Sequence, residues 1–243
     1  SVKNRILKAW ARVKEVKAII NDHRVKHIGW LRAGIVLIRA IILPSITYSC
    51  EVWTLMYKYT KNYLEAEYKA IIYNILDIPT TTKFSSVLAD TGLPSIMAVV
   101  DKLKINFINH TMWAAGDIKA RELLVEELRL MGDGSILGLM DGLCREYQIP
   151  LVSENVLDKK LVKRQIKIID ETRNWLSNVK SNATNNVGLN RVRLSTNFYR
   201  LNKRESQALI SYNAGNLRVK SAWRENRLSG RDNCLVPFCY GKD

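Results

Sequence analysis

Val36-Leu37-Ile38-Arg39-Ala40-Ile41-Ile42-Leu43-Pro44-Ser45-Ile46-Thr47-Tyr48-Ser49-Cys50-Glu51-Val52-Trp53 is the stretch that decides the fold class. Arg39 follows Arg32 by seven residues, two helical turns, so both cations fall on one narrow stripe of a helix that is otherwise apolar almost all round. Pro44 lacks a backbone donor and marks a step at the end of that helix. A helix over about 28–43 with so little polar surface belongs in a core. A membrane span is the competing reading. Arg32, Arg39 and Glu51 oppose it, since each charge at mid-bilayer costs about 2.5–3.5 kcal/mol on insertion scales.

Outward from this stretch the chain reads as mainly α. Residues 2–20 place Val2, Ile6, Trp10 and Val13 at helical spacing, with Lys3, Arg5, Lys8, Arg12 and Lys14 mostly off that line. Residues 60–76 give a broad apolar helix closed by Asp77-Ile78-Pro79. Thr80-Thr81-Thr82 offers caps for a short helix through Leu88, stopped at Gly92-Leu93-Pro94. Further helices are expected at 95–115, 117–131 and 135–148, then a long basic one over 153–180 carrying Val156, Leu161, Ile166, Ile169 and Trp175. Residues 181–196 read as a polar linker, with helices near 203–213 and 217–228 beyond it. The expected organisation is 1–116, a helical connector 117–180, the linker, and 197–243.

The 243 residues carry a net charge of +15, more than solubility asks of a small domain, and this points to a polyanionic partner. The charge is not spread evenly. Residues 1–50 hold ten Lys/Arg against two acids, residues 51–150 ten against thirteen, and residues 151–243 eighteen against eight. Two basic ends flanking a near-neutral middle suit a protein that grips nucleic acid at two places. A basic scaffold for an acidic protein, or a membrane-surface anchor at residues 2–20, would also use such charge. Four scattered cysteines do not make a disulfide framework, so a reducing intracellular compartment, nucleus or cytoplasm, is expected rather than secretion. Ser1-Val2-Lys3-Asn4-Arg5 reads as part of a charged helix rather than a signal peptide.

The ordered set of an amphipathic helix (2–20), Pro44, Tyr48, Glu51 and Trp53, Leu64 through Leu76-Asp77-Ile78-Pro79, and Leu88-Ala89-Asp90-Thr91-Gly92-Leu93-Pro94 resembles the thumb of a non-LTR (LINE-type) retrotransposon reverse transcriptase, over roughly residues 1–113. The family pattern has Gly after the Tyr, where Ser49 and Cys50 stand here. The resemblance implies a helical thumb that holds RNA, an RNA–DNA hybrid or a DNA duplex for template-primed synthesis by an upstream polymerase domain with its own Mg ions.

A thumb holds a duplex through phosphates, which calls for cations on rigid helices. The candidates are Lys3, Lys8 and Arg12, then Arg32 and Arg39, then Lys160, Lys163, Arg164 and Lys167. Tyr48, Glu51 and Trp53 are expected to lock the helix junction. Cys234 and Cys239 resemble the first half of a zinc knuckle, whose family pattern continues into a His and a Cys; neither follows here. The resemblance thus implies zinc as a cofactor of the full-length protein, with only half a site in these residues. His23 and His27 lie one helical turn apart, but Arg24 and Lys26 between them disfavour a cation. Polymerase chemistry needs carboxylates holding two metals about 4 Å apart, usually including adjacent aspartates. No Asp-Asp pair occurs in the chain, and these residues carry no catalytic set and no cofactor of their own.

Overall fold

The computed structural model describes residues 1–22, 29–53, 58–113, 118–181 and 202–213. These are mainly α, and no strand occurs among them. The helices are α1 (Val2–Ile20), α2 (Trp30–Thr47), α3 (Lys58–Leu76), α4 (Phe84–Thr91), α5 (Ile96–Trp113), α6 (Ile118–Met131), α7 (Ile136–Glu146), α8 (Lys159–Ser181) and α9 (Lys203–Asn213).

Pro44 does not end α2, as the sequence suggested. Residues Ile38–Ile42 widen into a π-turn, in which the Leu43 N–H bonds the Ile38 carbonyl five residues back. The wider turn accommodates the proline ring, which would otherwise clash with the carbonyl four residues earlier, and the helix runs on to Thr47. Ser45 and Thr47 donate their hydroxyls to the Ile41 and Leu43 carbonyls at 2.7 and 2.8 Å. By length and apolarity Trp30–Thr47 is able to cross a membrane, yet Trp30, Leu31, Ile35, Ile38, Ile42 and Ile46 are buried against other helices.

The core has two clusters. The first gathers Ile6, Ala9, Val13, Val16 and Ile20 of α1 with the inner faces of α2, α3 and α4, the start of α5, and Ile210 of α9. The second joins Ala98, Ile105, Ile108 and Met112 of α5 to α7, the 147–157 segment, and Val162 and Ile166 of α8. The division runs within α5, so α5 is shared by both halves. The expected boundary at 116/117 lies outside the described residues.

Local expectations fared unevenly. Gly92 closes α4 in the left-handed conformation (φ +63°), which glycine adopts without a Cβ penalty. The threonine caps are not used: α4 starts after Lys83 with no side-chain cap, because the chain turns at Pro79–Thr82 and the Thr82 carbonyl accepts the buried Tyr73 hydroxyl. Ser135 caps α7 by accepting from the Gly138 N–H at 2.9 Å. The long basic helix begins at Lys159 rather than 153, since Asp141 accepts from the Val152 and Ser153 N–H groups and holds that segment in a turn. Val156 is therefore exposed outside the helix, and Leu161 is also exposed, while Ile166 is buried. Near the chain's end, Asn202 and Glu205 form a reciprocal capping box for α9 at 2.9 and 3.0 Å. Lys203 then pairs with Asp77 at 2.8 Å, bringing α9 back onto the first cluster.

Candidate nucleic-acid interface

On α8 the spacing i, i+3, i+4, i+7 sets Lys160, Lys163, Arg164 and Lys167 on one outward arc. All four are exposed, and among the described residues their one ion pair is Lys167 with Glu171 at 3.7 Å, loose and solvated. The opposite arc carries Val162, Ile166 and Asp170 into the protein. Asp170 accepts from the Ser95 N–H and Oγ at 2.9 and 2.6 Å, and the Asn109 amide bonds both the Leu157 carbonyl and N–H at 3.0 and 2.9 Å. These clamps run α8 antiparallel to α5. Lys102 of α5 falls between them, close to Lys163, and burial together with that neighbouring charge holds its ammonium below the usual lysine range. The sequence reading missed Lys102. The signal was present only as a lysine on an otherwise inward flank, which needs the α5–α8 register to interpret.

The α1 cations do not share a face. Lys3 lies on the flank of Trp10 and Lys17, at i+7 and i+14, and this flank packs parallel to α3: Trp10 Nε1 donates to Glu67 at 2.7 Å and Lys17 reaches Asn74 at 3.3 Å. Lys8 and Arg12 lie on the opposite side with Arg5. Arg12 is engaged by Glu15 through two bonds at 2.9 and 3.0 Å, both side chains open to water.

The α2 stripe also divides. Arg32 is exposed without an ion-pair partner among the described residues, whereas Arg39 donates to the Gly92 carbonyl at 2.7 Å. That bond ties α2 to the end of α4, so Arg39 serves a structural joint. At the junction, Trp53 is half-buried against the first cluster, but Tyr48 is exposed. It links helices from the surface, with the Arg5 guanidinium 4.3 Å above its ring. Ser49 adopts φ +55°, ψ +31°, a conformation that favours glycine. Cys50 and Cys144 are buried, and burial pushes each thiol up to about 12, as inert packing requires.

Among the described residues no three His, Cys, Asp or Glu side chains come together as a metal site. Cys234, Cys239, His23, His27, the 181–196 linker apart from Ser181, and the expected helix near 217–228 lie outside the described residues. No family model matches this chain, and no curated protein or solved structure matches it.

Proposed function

We propose that this chain is a non-catalytic, thumb-like helical module that binds an RNA, RNA–DNA or DNA duplex with little sequence preference. In this reading it supports template-primed DNA synthesis by a polymerase domain that these residues do not include. The observation that carries the proposal is the α8 arc, where four exposed cations make one ion pair among the described residues, on a helix clamped at both ends of its contact with α5. Cations on a rigid, amphipathic helix are arranged to neutralise phosphates rather than to read bases. The left-handed Ser49 agrees with the thumb resemblance, because the position after the Tyr is one where glycine would be unstrained.

The test is duplex binding by fluorescence anisotropy across 50–200 mM KCl. Phosphate neutralisation predicts that log K falls linearly with log[salt], by about 0.9 per phosphate contacted. A slope near zero would overturn the reading. So would tighter binding to an acidic peptide of equal charge than to duplex, which would assign the surface to a protein partner.

A further inference from the structure

The register of α5 against α8 is set at two points: Ser95 meets Asp170, and Asn109 meets Leu157. Midway between them the two helices oppose Lys102 and Lys163. Helix interfaces ordinarily set an acid against a cation. Here the two clamps impose cation against cation, and neither lysine has an ion-pair partner among the described residues. Lys102 is half-buried, so water and salt screen this repulsion less than they would at an open surface. An anion placed between the two ammoniums turns the repulsion into two attractions.

We infer that the α5–α8 seam at Lys102 and Lys163, continued by Lys160, Arg164 and Lys167, seats the phosphodiester backbone of a nucleic acid. The inference rests on the nucleic-acid reading above and places its closest contact at the α5–α8 seam rather than on α1. A chain of phosphates suits this row of cations better than one free ion. The cations of α8 continue from Lys160 to Lys167, about 10 Å along the helix axis at 1.5 Å per residue. That length spans more than one phosphate. Lys102 is the contact that bridges to a second helix and fixes where the backbone lies.

The experiment uses the full chain as wild type, K102Q, K163Q and the double variant, with K119Q at the exposed start of α6 as control. Anisotropy with a labelled RNA–DNA duplex over 50–200 mM KCl is expected to show each single variant losing about 0.9 from the salt slope and the double variant about 1.8. K119Q is expected to keep the wild-type slope. Thermal unfolding of K102Q and K163Q is expected at or above the wild-type temperature, because each removes a repulsion. Wild-type binding with an unchanged slope in the double variant would overturn the seat and leave the broader reading standing. Failure of the wild type to bind duplex would overturn that reading itself. A K119Q loss equal to that of K102Q would show diffuse charge rather than a seat. Inorganic phosphate at constant ionic strength supplies a separate arm: stabilisation of wild type but not K102Q, with no slope change toward duplex, would assign the seam to a free anion instead.

Discussion

The basic helices α1 and α8 carry similar charge and use it in opposite ways. Around α1 the cations divide between two flanks, and several are engaged by the protein: Arg12 by Glu15, Arg5 by the Tyr48 ring, and Lys17 by Asn74. On α8 four cations share one arc, and among the described residues only Lys167 makes an ion pair. Each helix packs against two others, α1 against α2 and α3 and α8 against α4 and α5. The difference lies in where the cations fall on the face left exposed: at its two edges on α1, along one continuous arc on α8. Charge count therefore says less about binding than the placement of charge on a helix's exposed face.

The widest contrast to test is whether the two halves hold together. Cys50 sits in the α1 half and Cys144 in the α8 half, each buried with its thiol pushed up to about 12. At pH 8 native alkylation is expected to be about 1,000-fold slower than for an ordinary thiol, because the thiolate is that much scarcer. The folded value lies above the unfolded one, so this contribution to stability is whole below about pH 9 and is lost as pH rises toward about 12. Iodoacetamide labelling followed by peptide mass spectrometry along a urea series reads both sites separately. Coincident exposure shows one cooperative unit through the shared α5; earlier exposure of one cysteine shows that the halves open independently.

Binding comes next in size. K160Q/K163Q/R164Q/K167Q is expected to weaken duplex binding on the order of 100-fold near 0.1 M salt and to lower the salt slope by about 3–4. K3Q/K8Q/R12Q is expected to cost less than 10-fold, since its three cations cannot face one backbone together. Equal losses in anisotropy titrations would erase the distinction between the two helices.

Much of this arrangement could be read from periodicity alone. The helix class, the buried face of α1, the Gly92 stop and the cation arc of α8 all follow from residue spacing. What escaped was either a local irregularity of the backbone or a partner distant in sequence. The continuation of α2 past Pro44 depends on a π-turn, and the late start of α8 depends on Asp141 capturing the chain at Val152 and Ser153. Arg39 reads as a free cation until Gly92 is placed beside it, 53 positions away. Lys102 reads as an ordinary helix lysine until the α5–α8 register sets it against Lys163.

That register gives a smaller, separable effect. Asn109 is buried and bonds both backbone groups of Leu157, so Asn109→Ala leaves a buried donor and acceptor unpaired. The expected cost is about 2–3 kcal/mol, or about 4–10 °C in Tm by differential scanning calorimetry for a chain of this size. Because Asn109 clamps the entry to α8, the variant is also expected to weaken duplex binding modestly. A stability loss with unchanged affinity would show that the arc holds its position without this clamp.

The smallest effect belongs to the α1 half. Ser49 holds φ +55° between α2 and the short turn Cys50–Val52, where an L side chain is crowded by its own backbone at a cost of about 1–2 kcal/mol. Ser49→Gly removes that strain but gives the unfolded chain more freedom, which offsets part of the gain. The side chain is exposed, and its hydroxyl makes no capping hydrogen bond among the described residues. The expected net result is a stabilisation of about 0.5 kcal/mol, seen as a Tm rise of about 1–2 °C with the α8-dependent salt slope unchanged. A fall in Tm would mean that the turn is held by something other than backbone conformation, and a change in slope would place the Tyr48 junction within the binding surface rather than beneath it.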